Sequence, residues 1–564
     1  MSDFPWWHSV IIYQVYPMSF QDSNGDGVGD VKGMIGRLDY IQSIGVNTIW
    51  MNPIFLSPKI DNGYDVADYK EIDPQFGTME EVERLIEEAH YRGIRVIFDL
   101  VLNHTSDQHP WFQEALKGKD NPYRDYYIWK DGKNDGLKAP NNWEGYFREP
   151  VWEKEPNGDQ YYFHLFAKEM PDLNWENPKV REALLDVACF WMAKGVDGFR
   201  LDAFIHIEKE AGYPDIDLPE GEIGLAEHYY SNLPKVNIYM KQFTTELRER
   251  YPYVYILGEA SSADVKLARS YCDPDEGGCN SVITFKYFTM DEDSKDPRLN
   301  SNLQKSSLLY SAFKEHMAEW QSVMADVGGP TLYWNNHDIP RAISRLGDSE
   351  IYRNNSAKML ATLMYLQKGI PIIYYGEEIG MKNLYMDDIK DFHAPEAKSF
   401  YEKALELDYN KEWALYNLRE SSKDASRGVM QWDDREFAGF SGTKPWSGVN
   451  LESTYTVKSQ VRNPSSVLSY YKDVLNLKRT DLFIYGSYKM MKTPNQLFVY
   501  ERTWENKSGL VVCNVTADHQ DYYLPEVEPG GYRRIILENE GVKIEKGYVK
   551  LGPYGAVVLQ TVYE

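Results

Sequence analysis

The pattern of apolar and polar positions repeats along the first 380 residues of this 564-residue chain. Each repeat consists of an amphipathic helical stretch, a glycine and a short apolar run rich in branched residues. Gly45, Gly93, Gly195 and Gly369 occupy the glycine position, which suits the left-handed residue that ends a helix. The pattern therefore predicts alternating helices and buried strands, and this alternation indicates a parallel sheet.

Four further apolar runs bring the number of predicted strands to eight. The predicted strands span residues 11–16, 46–50, 94–99, 196–202, 254–257, 281–285, 331–334 and 370–375. Eight such strands predict an α/β protein of the (β/α)8 TIM barrel class. In this class the active site lies at the carboxyl ends of the strands.

Two stretches depart from the repeat. Residues 105–172 are rich in Pro, Gly, Asn, Trp and charge, and they are too long for an ordinary connection after strand 3. The tail alternates apolar and polar positions, as in 496–500 and 556–559, which is typical of an antiparallel β-sandwich. We therefore predict a catalytic barrel (1–104 and 173–480), an inserted subdomain B (105–172) and a C-terminal β-domain (481–564).

Composition restricts the partners. The formal net charge of -25 disfavours nucleic acids and anionic membranes, because the long-range field of the protein repels both. The N-terminal residues contain no basic segment leading into an apolar one, and no run of eighteen apolar residues occurs, so we expect a cytoplasmic protein without a membrane span. Four cysteines in so long a chain do not make a disulfide framework. We expect a small-molecule substrate and a monomer or homodimer.

Polar residues follow several of the predicted strands. In a strand, side chains two residues apart share a face, so Arg200 and Asp202 point the same way. Taken alone, this pair is equally compatible with a buried structural ion pair and with a carboxylate prepared for chemistry. The residues at the other strand ends favour chemistry: Asp99, Asn103, His104, Glu259, Asn336, His337 and Asp338.

An acidic loop near the N-terminus predicts a metal site. Oxygen side chains stand at its positions one, three, five and nine, glycine at six, and a backbone carbonyl is available at seven, as at the start of a calcium loop. Position twelve is Gly33 rather than glutamate, which excludes a true EF-hand and leaves an empty acidic turn as the alternative. We expect one structural calcium ion, and no organic cofactor, with these ligands: Asp22, Asn24, Asp26, Val28 and Asp30.

Three carboxylates on separate strand ends indicate a glycosidase. One carboxylate attacks the anomeric carbon and one carboxylic acid protonates the leaving oxygen, and a separation of roughly 5 to 5.5 Å makes the enzyme retaining. The candidates are Asp202, Glu259 and Asp338. A serine hydrolase is disfavoured because the sequence contains no Gly-x-Ser-x-Gly elbow, and it contains neither a Walker motif nor a dinucleotide-binding glycine motif.

Several of these motifs resemble, in order and spacing, the signature regions of the α-amylase superfamily, glycoside hydrolase family 13. They are residues 99–104 (Asp-Leu-Val-Leu-Asn-His), 198–202 (Gly-Phe-Arg-Leu-Asp), 258–260 (Gly-Glu-Ala) and 336–338 (Asn-His-Asp). The resemblance narrows to the α-glucosidase and oligo-1,6-glucosidase branch through residues 61–65, 171–175 and 430–432.

The resemblance implies a role for each matching residue. Asp202 would be the nucleophile, Glu259 the acid/base, and Asp338 the residue that distorts and stabilises the bound ring. A second set of residues would surround the sugar in the cleaved position. His104, His337 and Arg200 would bind it, Asp61 and Arg427 would clamp its terminal hydroxyls and close the pocket, and Tyr64 and Phe166 would stack on it.

The residue after the nucleophile bears on the linkage. In α-1,6-specific relatives it is usually valine, whereas maltase-like members have a smaller or polar residue, and here it is Ala203. We therefore expect a retaining exo-acting α-glucosidase for maltose and short α-1,4-linked oligosaccharides. The alternatives within the family are an oligo-1,6-glucosidase and a transferase or isomerase of the sucrose or trehalose type. A non-catalytic, membrane-tethered relative is disfavoured by the full catalytic set.

Overall fold

The computed structural model describes residues 5–156, 158–293, 295–526 and 531–563. The chain divides into two compact units, and we describe each by itself. The first unit consists of Met1–Ile49, Tyr91–Ile94 and Tyr287–Glu564, and the second of Trp50–His90 and Arg95–Lys286. This division follows compactness and not chain order, so the domain boundaries expected from the sequence stay predictions.

All eight predicted parallel strands are present. They are β1 (Ile12–Val15), β2 (Thr48–Met51), β3 (Arg95–Val101), β4 (Gly198–Asp202), β5 (Tyr255–Glu259), β6 (Ser281–Ile283), β7 (Thr331–Leu332) and β8 (Ile370–Tyr374). They belong to one sheet in the order β6-β5-β4-β3-β2-β1-β8-β7. The strand β2 begins in the first unit and ends in the second.

The pairing within each unit fixes the positions of the strand ends. In the second unit β4 lies between β3 and β5, with Arg200 opposite Asp99 on one side and Leu257 on the other. In the first unit β1 pairs in parallel with β8, and β8 pairs with β7. The carboxyl ends of neighbouring strands therefore meet at the same edge of the sheet.

A helix follows each of the eight strands, as the sequence pattern predicts. These helices are α1 (Leu38–Ile44), α2 (Met79–Tyr91), α3 (Pro178–Ala193), α4 (Lys235–Arg250), α5 (Val265–Cys272), α6 (Tyr310–Val323), α7 (Arg353–Tyr365) and α8 (Val467–Lys478). Gly45 ends α1 in the left-handed conformation at φ 101°, which a residue with a Cβ adopts only at a cost. Alternating strands and helices confirm the predicted (β/α)8 class.

Antiparallel sheets occupy the two stretches that depart from the repeat. Between β3 and α3, the strands Trp129–Asp131, Gln160–Phe163 and Trp152–Lys154 form a three-stranded sheet. After α8, the chain forms one sheet of five strands and one of three, as predicted for the tail. These strands are β9 (Ser487–Met490), β10 (Leu497–Trp504), β11 (Lys507–Asn514), β12 (Gln520–Tyr523), β13 (Gly531–Glu538), β14 (Val542–Glu545), β15 (Tyr548–Leu551) and β16 (Ala556–Tyr563).

No helix within the described ranges has both the length and the apolar composition that crossing a bilayer demands.

Candidate active site

A single buried guanidinium lies at the centre of the acidic cluster in the second unit. Arg200 Nη1 donates to Asp99 Oδ1 at 2.7 Å and to Asp202 Oδ1 at 2.6 Å, and Nη2 contacts Glu259 Oε2. The strand register explains the cluster: Asp99 is opposite Arg200 on β3, Asp202 lies two residues further on β4, and Glu259 ends β5. The predicted alignment of Arg200 with Asp202 is therefore present.

The surrounding carboxylates keep this guanidinium charged. Burial alone would lower the pKa of Arg200, but the charges of Asp99 and Asp202 outweigh burial and raise it above its usual value. Burial also raises the pKa of the Asp99 carboxyl, against the opposing effect of Arg200. The cluster thus holds a permanent positive charge next to the carboxylate at the end of β4.

Asp99 is part of this cluster, although the sequence analysis does not include it among the site residues. Its Oδ2 accepts hydrogen bonds from Trp50 Nε1 at 3.2 Å, Asn52 Nδ2 at 3.3 Å and the Tyr64 hydroxyl at 3.1 Å. Tyr64 is thereby tied to the acidic cluster. The sequence signal for Asp99 is its position at a strand end, but only the register places it opposite Arg200.

The turn that carries Asp61 and Tyr64 is shaped by Asp65. The buried Asp65 carboxylate accepts from the Ile60 amide at 2.8 Å, the Asp61 amide at 3.1 Å and the Ser57 hydroxyl at 2.9 Å. Burial raises the pKa of Asp65. Asp65 therefore fixes the backbone from which Asp61 and Tyr64 project.

His104 and Phe166 lie together in the second unit. Their ring centroids are 5.1 Å apart, and Phe166 also stacks on Tyr146 at 5.7 Å with an interplanar angle of 27°. Burial lowers the pKa of His104 to about 4, against the opposing charges of Asp172 and Asp61. The imidazole is therefore neutral near pH 7, as a hydrogen-bonding group for an uncharged ligand can be.

Ala203 directly follows Asp202 at the carboxyl end of β4. Its backbone is left-handed, at φ 47° and ψ 22°, and it is 9% exposed. A left-handed backbone is costly for any residue with a Cβ, and most costly for β-branched side chains. The site thus keeps a small residue in a strained conformation beside the candidate nucleophile.

The first unit contains a second group of predicted residues. His337 Nε2 lies 3.0 Å from Asp338 Oδ2, and Arg427 Nη2 donates to Asp338 Oδ1 at 3.2 Å. Arg427 Nε also donates to the His337 carbonyl at 2.9 Å. Gln14 on β1, which the sequence analysis misses, is 2.9 Å from His337 Nδ1 through its amide nitrogen. Because an amide nitrogen only donates, Nδ1 accepts this bond.

The acidic loop of the first unit forms a closed turn. Asp22 accepts from the amides of Asn24, Gly25 and Gly27 at 2.6 to 2.9 Å, and Asp30 accepts from the Gly33 amide at 2.7 Å. In the described part of the chain, no three His, Cys, Asp or Glu side chains are grouped as a metal would require. Carboxylate, amide and carbonyl oxygens are ligands that calcium prefers, and the calcium ion at this loop stays a prediction.

Most of the predicted residues thus fall into three groups, and His104 lies apart from these beside Phe166. Asp202, Glu259 and Arg200 share one cluster, which is linked to Tyr64 through Asp99. His337, Asp338 and Arg427 form another group, and the acidic loop is the third.

Comparisons with known proteins show the family to which the chain belongs. A family model described as "Alpha amylase, catalytic domain" matches residues 14–486, and one described as "Alpha-amylase SusG C-terminal domain" matches residues 497–558. The oligo-1,6-glucosidase of Parageobacillus thermoglucosidasius is 41% identical over 560 residues, which cover 98% of this chain and 98% of that protein.

Solved structures match over the same length. A structure titled "Family GH13_31 enzyme" has a TM-score of 0.90 and 43% identity, covering 99% of this chain and 100% of that one. The isomaltulose synthase from Erwinia rhapontici NX5 has a TM-score of 0.91 and 35% identity, with 100% of both chains covered. The chain therefore belongs to the α-amylase superfamily of glycoside hydrolases, family 13, in the branch that contains the oligo-1,6-glucosidases.

Proposed function

We propose that this glycoside hydrolase is a retaining, exo-acting α-glucosidase. It releases α-glucose from the non-reducing end of maltose and short α-1,4-linked gluco-oligosaccharides. The observation that carries the proposal is the contact of one guanidinium, Arg200, with both Asp202 and Glu259. Two carboxyl groups that share a guanidinium lie at one site, as the nucleophile and the acid/base of a retaining enzyme must.

The proposed reaction has two steps. The ionised Asp202, stabilised by the Arg200 guanidinium, attacks the anomeric carbon while Glu259 protonates the leaving oxygen. A water molecule then attacks the glucosyl-enzyme from the same side, and Glu259 accepts its proton, so the α configuration is kept. Asp338 distorts the bound ring and stabilises its developing positive charge.

The remaining residues would hold the terminal glucose. His104, His337 and Arg200 bind its hydroxyls, and Asp61 and Arg427 clamp the hydroxyls at its non-reducing end. Tyr64 and Phe166 stack on the ring. The electrostatic influence of Asp61 on His104 and the position of the Phe166 ring 5.1 Å from that of His104 support this assignment within the second unit.

The linkage preference rests on Ala203. Its small side chain leaves room at the end of β4, and the maltase-like members of the family share this property, so we assign α-1,4 substrates. The oligo-1,6-glucosidase named above, at 41% identity, favours α-1,6 hydrolysis as the second candidate. The similarity to an isomaltulose synthase makes transfer to a sugar acceptor the third.

A substrate panel tests the proposal. Purified protein is assayed on maltose, isomaltose, sucrose, trehalose and trehalose 6-phosphate, and the products are separated by chromatography. We expect the highest kcat/KM on maltose, with α-glucose as the first product by NMR. If isomaltose exceeds maltose by tenfold or more, the α-1,4 assignment is wrong, and isomerised sucrose would identify an isomerase.

The same proposal includes one structural calcium ion held by the acidic loop. Asp22, Asn24, Asp26 and Asp30 would supply side-chain oxygens, and Val28 its carbonyl. We further propose a cytoplasmic location and a monomeric or homodimeric state.

A further inference from the structure

A buried lysine lies behind His104 in the second unit. Lys209 Nζ is 2.6 Å from Asp172 Oδ2 and 3.1 Å from Asn103 Oδ1, and it also donates to the His206 carbonyl. The Lys209 side chain is 2% exposed and that of Asp172 is 0% exposed. An ammonium group donates hydrogen bonds and accepts none. The atom of Asn103 that faces Lys209 must therefore be its amide oxygen.

This orientation of Asn103 determines what its other atom does. With Oδ1 on Lys209, the amide nitrogen Nδ2 faces His104 Nδ1 at 3.3 Å. An amide nitrogen only donates, so His104 Nδ1 must accept and carries no proton. Burial lowers the pKa of His104 to about 4, and a neutral imidazole then has its single proton on Nε2.

The protonated nitrogen of His104 is the one that the protein leaves unsatisfied. Nε2 is buried and has no hydrogen-bond partner of good geometry among the residues that the structure describes, although the Tyr64 backbone lies close enough to the imidazole to favour its protonated form. A buried donor without a partner is unfavourable. An oxygen of a bound ligand would remove this cost.

We propose that Lys209 is a positioning residue: through Asn103 it fixes His104 in the tautomer that donates from Nε2 to a hydroxyl oxygen of the substrate sugar. The identity of the ligand rests on the proposed function. The tautomer itself does not, because every contact that fixes it belongs to the protein without substrate.

The decisive variant is Asn103→Asp. The substitution keeps the shape of the side chain and an oxygen for Lys209, but it replaces the donor that faces His104 Nδ1 by an acceptor. Nδ1 must then carry a proton, whether the ring is neutral or charged. NMR of protein labelled with ¹⁵N-histidine distinguishes protonated from bare ring nitrogens, and a His104→Asn sample assigns the signals.

We expect a proton on Nε2 and a bare Nδ1 in the parent protein, and a protonated Nδ1 in Asn103→Asp. The kcat/KM on maltose should fall by about tenfold or more, the effect of losing one hydrogen bond to the substrate. A parent protein with the proton on Nδ1, or ring signals unchanged by Asn103→Asp, would overturn the proposal. Switched signals with an unchanged kcat/KM would overturn the role toward the sugar.

Lys209→Met tests whether the contact of Lys209 with Asn103 fixes the orientation of the Asn103 amide. Without the ammonium, the amide of Asn103 can take either orientation, so we expect His104 signals averaged between two tautomers. Lys478→Met removes another buried lysine, in the first unit, and should leave the His104 signals unchanged. Lys209→Met also leaves Asp172 buried without its partner, which destabilises the fold, and Asn103→Asp keeps the proposal testable if this variant does not fold.

The experiment separates this inference from the proposed function. The ring signals are recorded without any sugar. If the parent protein cleaves none of the α-glucosides but shows the Nε2 tautomer and its switch, the proposed function is wrong and the arrangement of Lys209, Asn103 and His104 stands.

Discussion

At the scale of single residues, Arg200 holds the acidic cluster together. Its guanidinium accepts no hydrogen bonds and contacts the carboxylates of Asp99, Asp202 and Glu259. The positive charge between these carboxylates offsets the repulsion that would otherwise raise the pKa of one of them. In the proposed mechanism Glu259 protonates the leaving group, and this step requires its contact with Arg200 to loosen when substrate binds.

The nucleophile assignment predicts the behaviour of Asp202→Asn. The amide cannot attack the anomeric carbon, so kcat on maltose should fall at least about a thousandfold. The fold should persist, because Asp99 and Glu259 still surround Arg200. Initial rates and thermal melting measure the two effects, with the exposed Asp186→Asn as a matched control. Activity near that of the parent would disprove the assignment.

The linkage assignment predicts the behaviour of Ala203→Val. Two γ-methyl groups beside Asp202 should lower the ratio of kcat/KM for maltose to that for isomaltose by tenfold or more. The left-handed backbone at φ 47° should also make the variant less stable, by about 1 to 2 kcal/mol. Ala203→Ser, which adds volume without β-branching, is the control. An unchanged ratio would show that Ala203 does not set the linkage.

At the scale of elements, the pattern of apolar and polar positions predicted the strands well, but it predicted the ends of the strands less well. Strand β7 stops at Leu332, two residues before the predicted end, and β3 continues to Val101, beyond its predicted end. Apolar runs identify burial, but the neighbouring strand decides how far pairing continues. The same limit explains why Asp99 was given no role and Gln14 was not predicted as a site residue, since each contacts a partner distant in sequence.

The acidic loop gives a prediction about metal removal. A chelator should lower the melting temperature of the parent protein, and calcium should restore it better than magnesium, which prefers fewer protein ligands. Asp26→Ala should bind less calcium and melt at the same temperature with and without chelator. If chelation changes neither the bound metal nor the melting temperature, the loop is an acidic turn without calcium.

The turn after β8 gives a prediction about pH. Burial raises the pKa of Glu377 from 4.5 to about 7, although Tyr365 and Tyr471 donate to it. Because the folded state binds this proton more tightly than the unfolded state, the stability that Glu377 contributes is fully present below about pH 4.5. It falls as pH rises through about 7, by an amount on the order of 3 kcal/mol.

Glu377→Gln carries no titrating proton, so this loss should be absent. Urea unfolding at pH 5 and pH 8 should show a smaller difference for Glu377→Gln than for the parent. The exposed Glu87→Gln should behave like the parent. Equal differences in all three proteins would contradict the assignment.

At the scale of the whole molecule, the C-terminal sheets belong to the same compact unit as β1, β7 and β8. Arg502 on β10 connects several segments of this unit by hydrogen bonds. It is fully buried and donates to the carbonyls of Leu366, Phe483, Gly486 and Ser487 at 2.7 to 3.1 Å. We therefore expect the C-terminal sheets and the adjoining helices to unfold together.

Arg502→Met should destabilise this unit by at least about 3 kcal/mol, because the buried carbonyls lose their donors. Urea unfolding measures the effect, and the exposed Arg534→Met should change stability by less than about 0.5 kcal/mol. A separate early transition of the C-terminal sheets in the parent protein would show that they unfold on their own.

The acidic cluster around Arg200 also determines which charged molecules the site can hold. Three carboxyl groups against one guanidinium leave one formal negative charge when Glu259 holds the proton that it donates, in a site where charge interactions are strong. A sugar analogue whose ring carries an ammonium should therefore bind more tightly than a neutral analogue of the same shape. A sugar that carries a phosphate near the reacting carbon should be rejected.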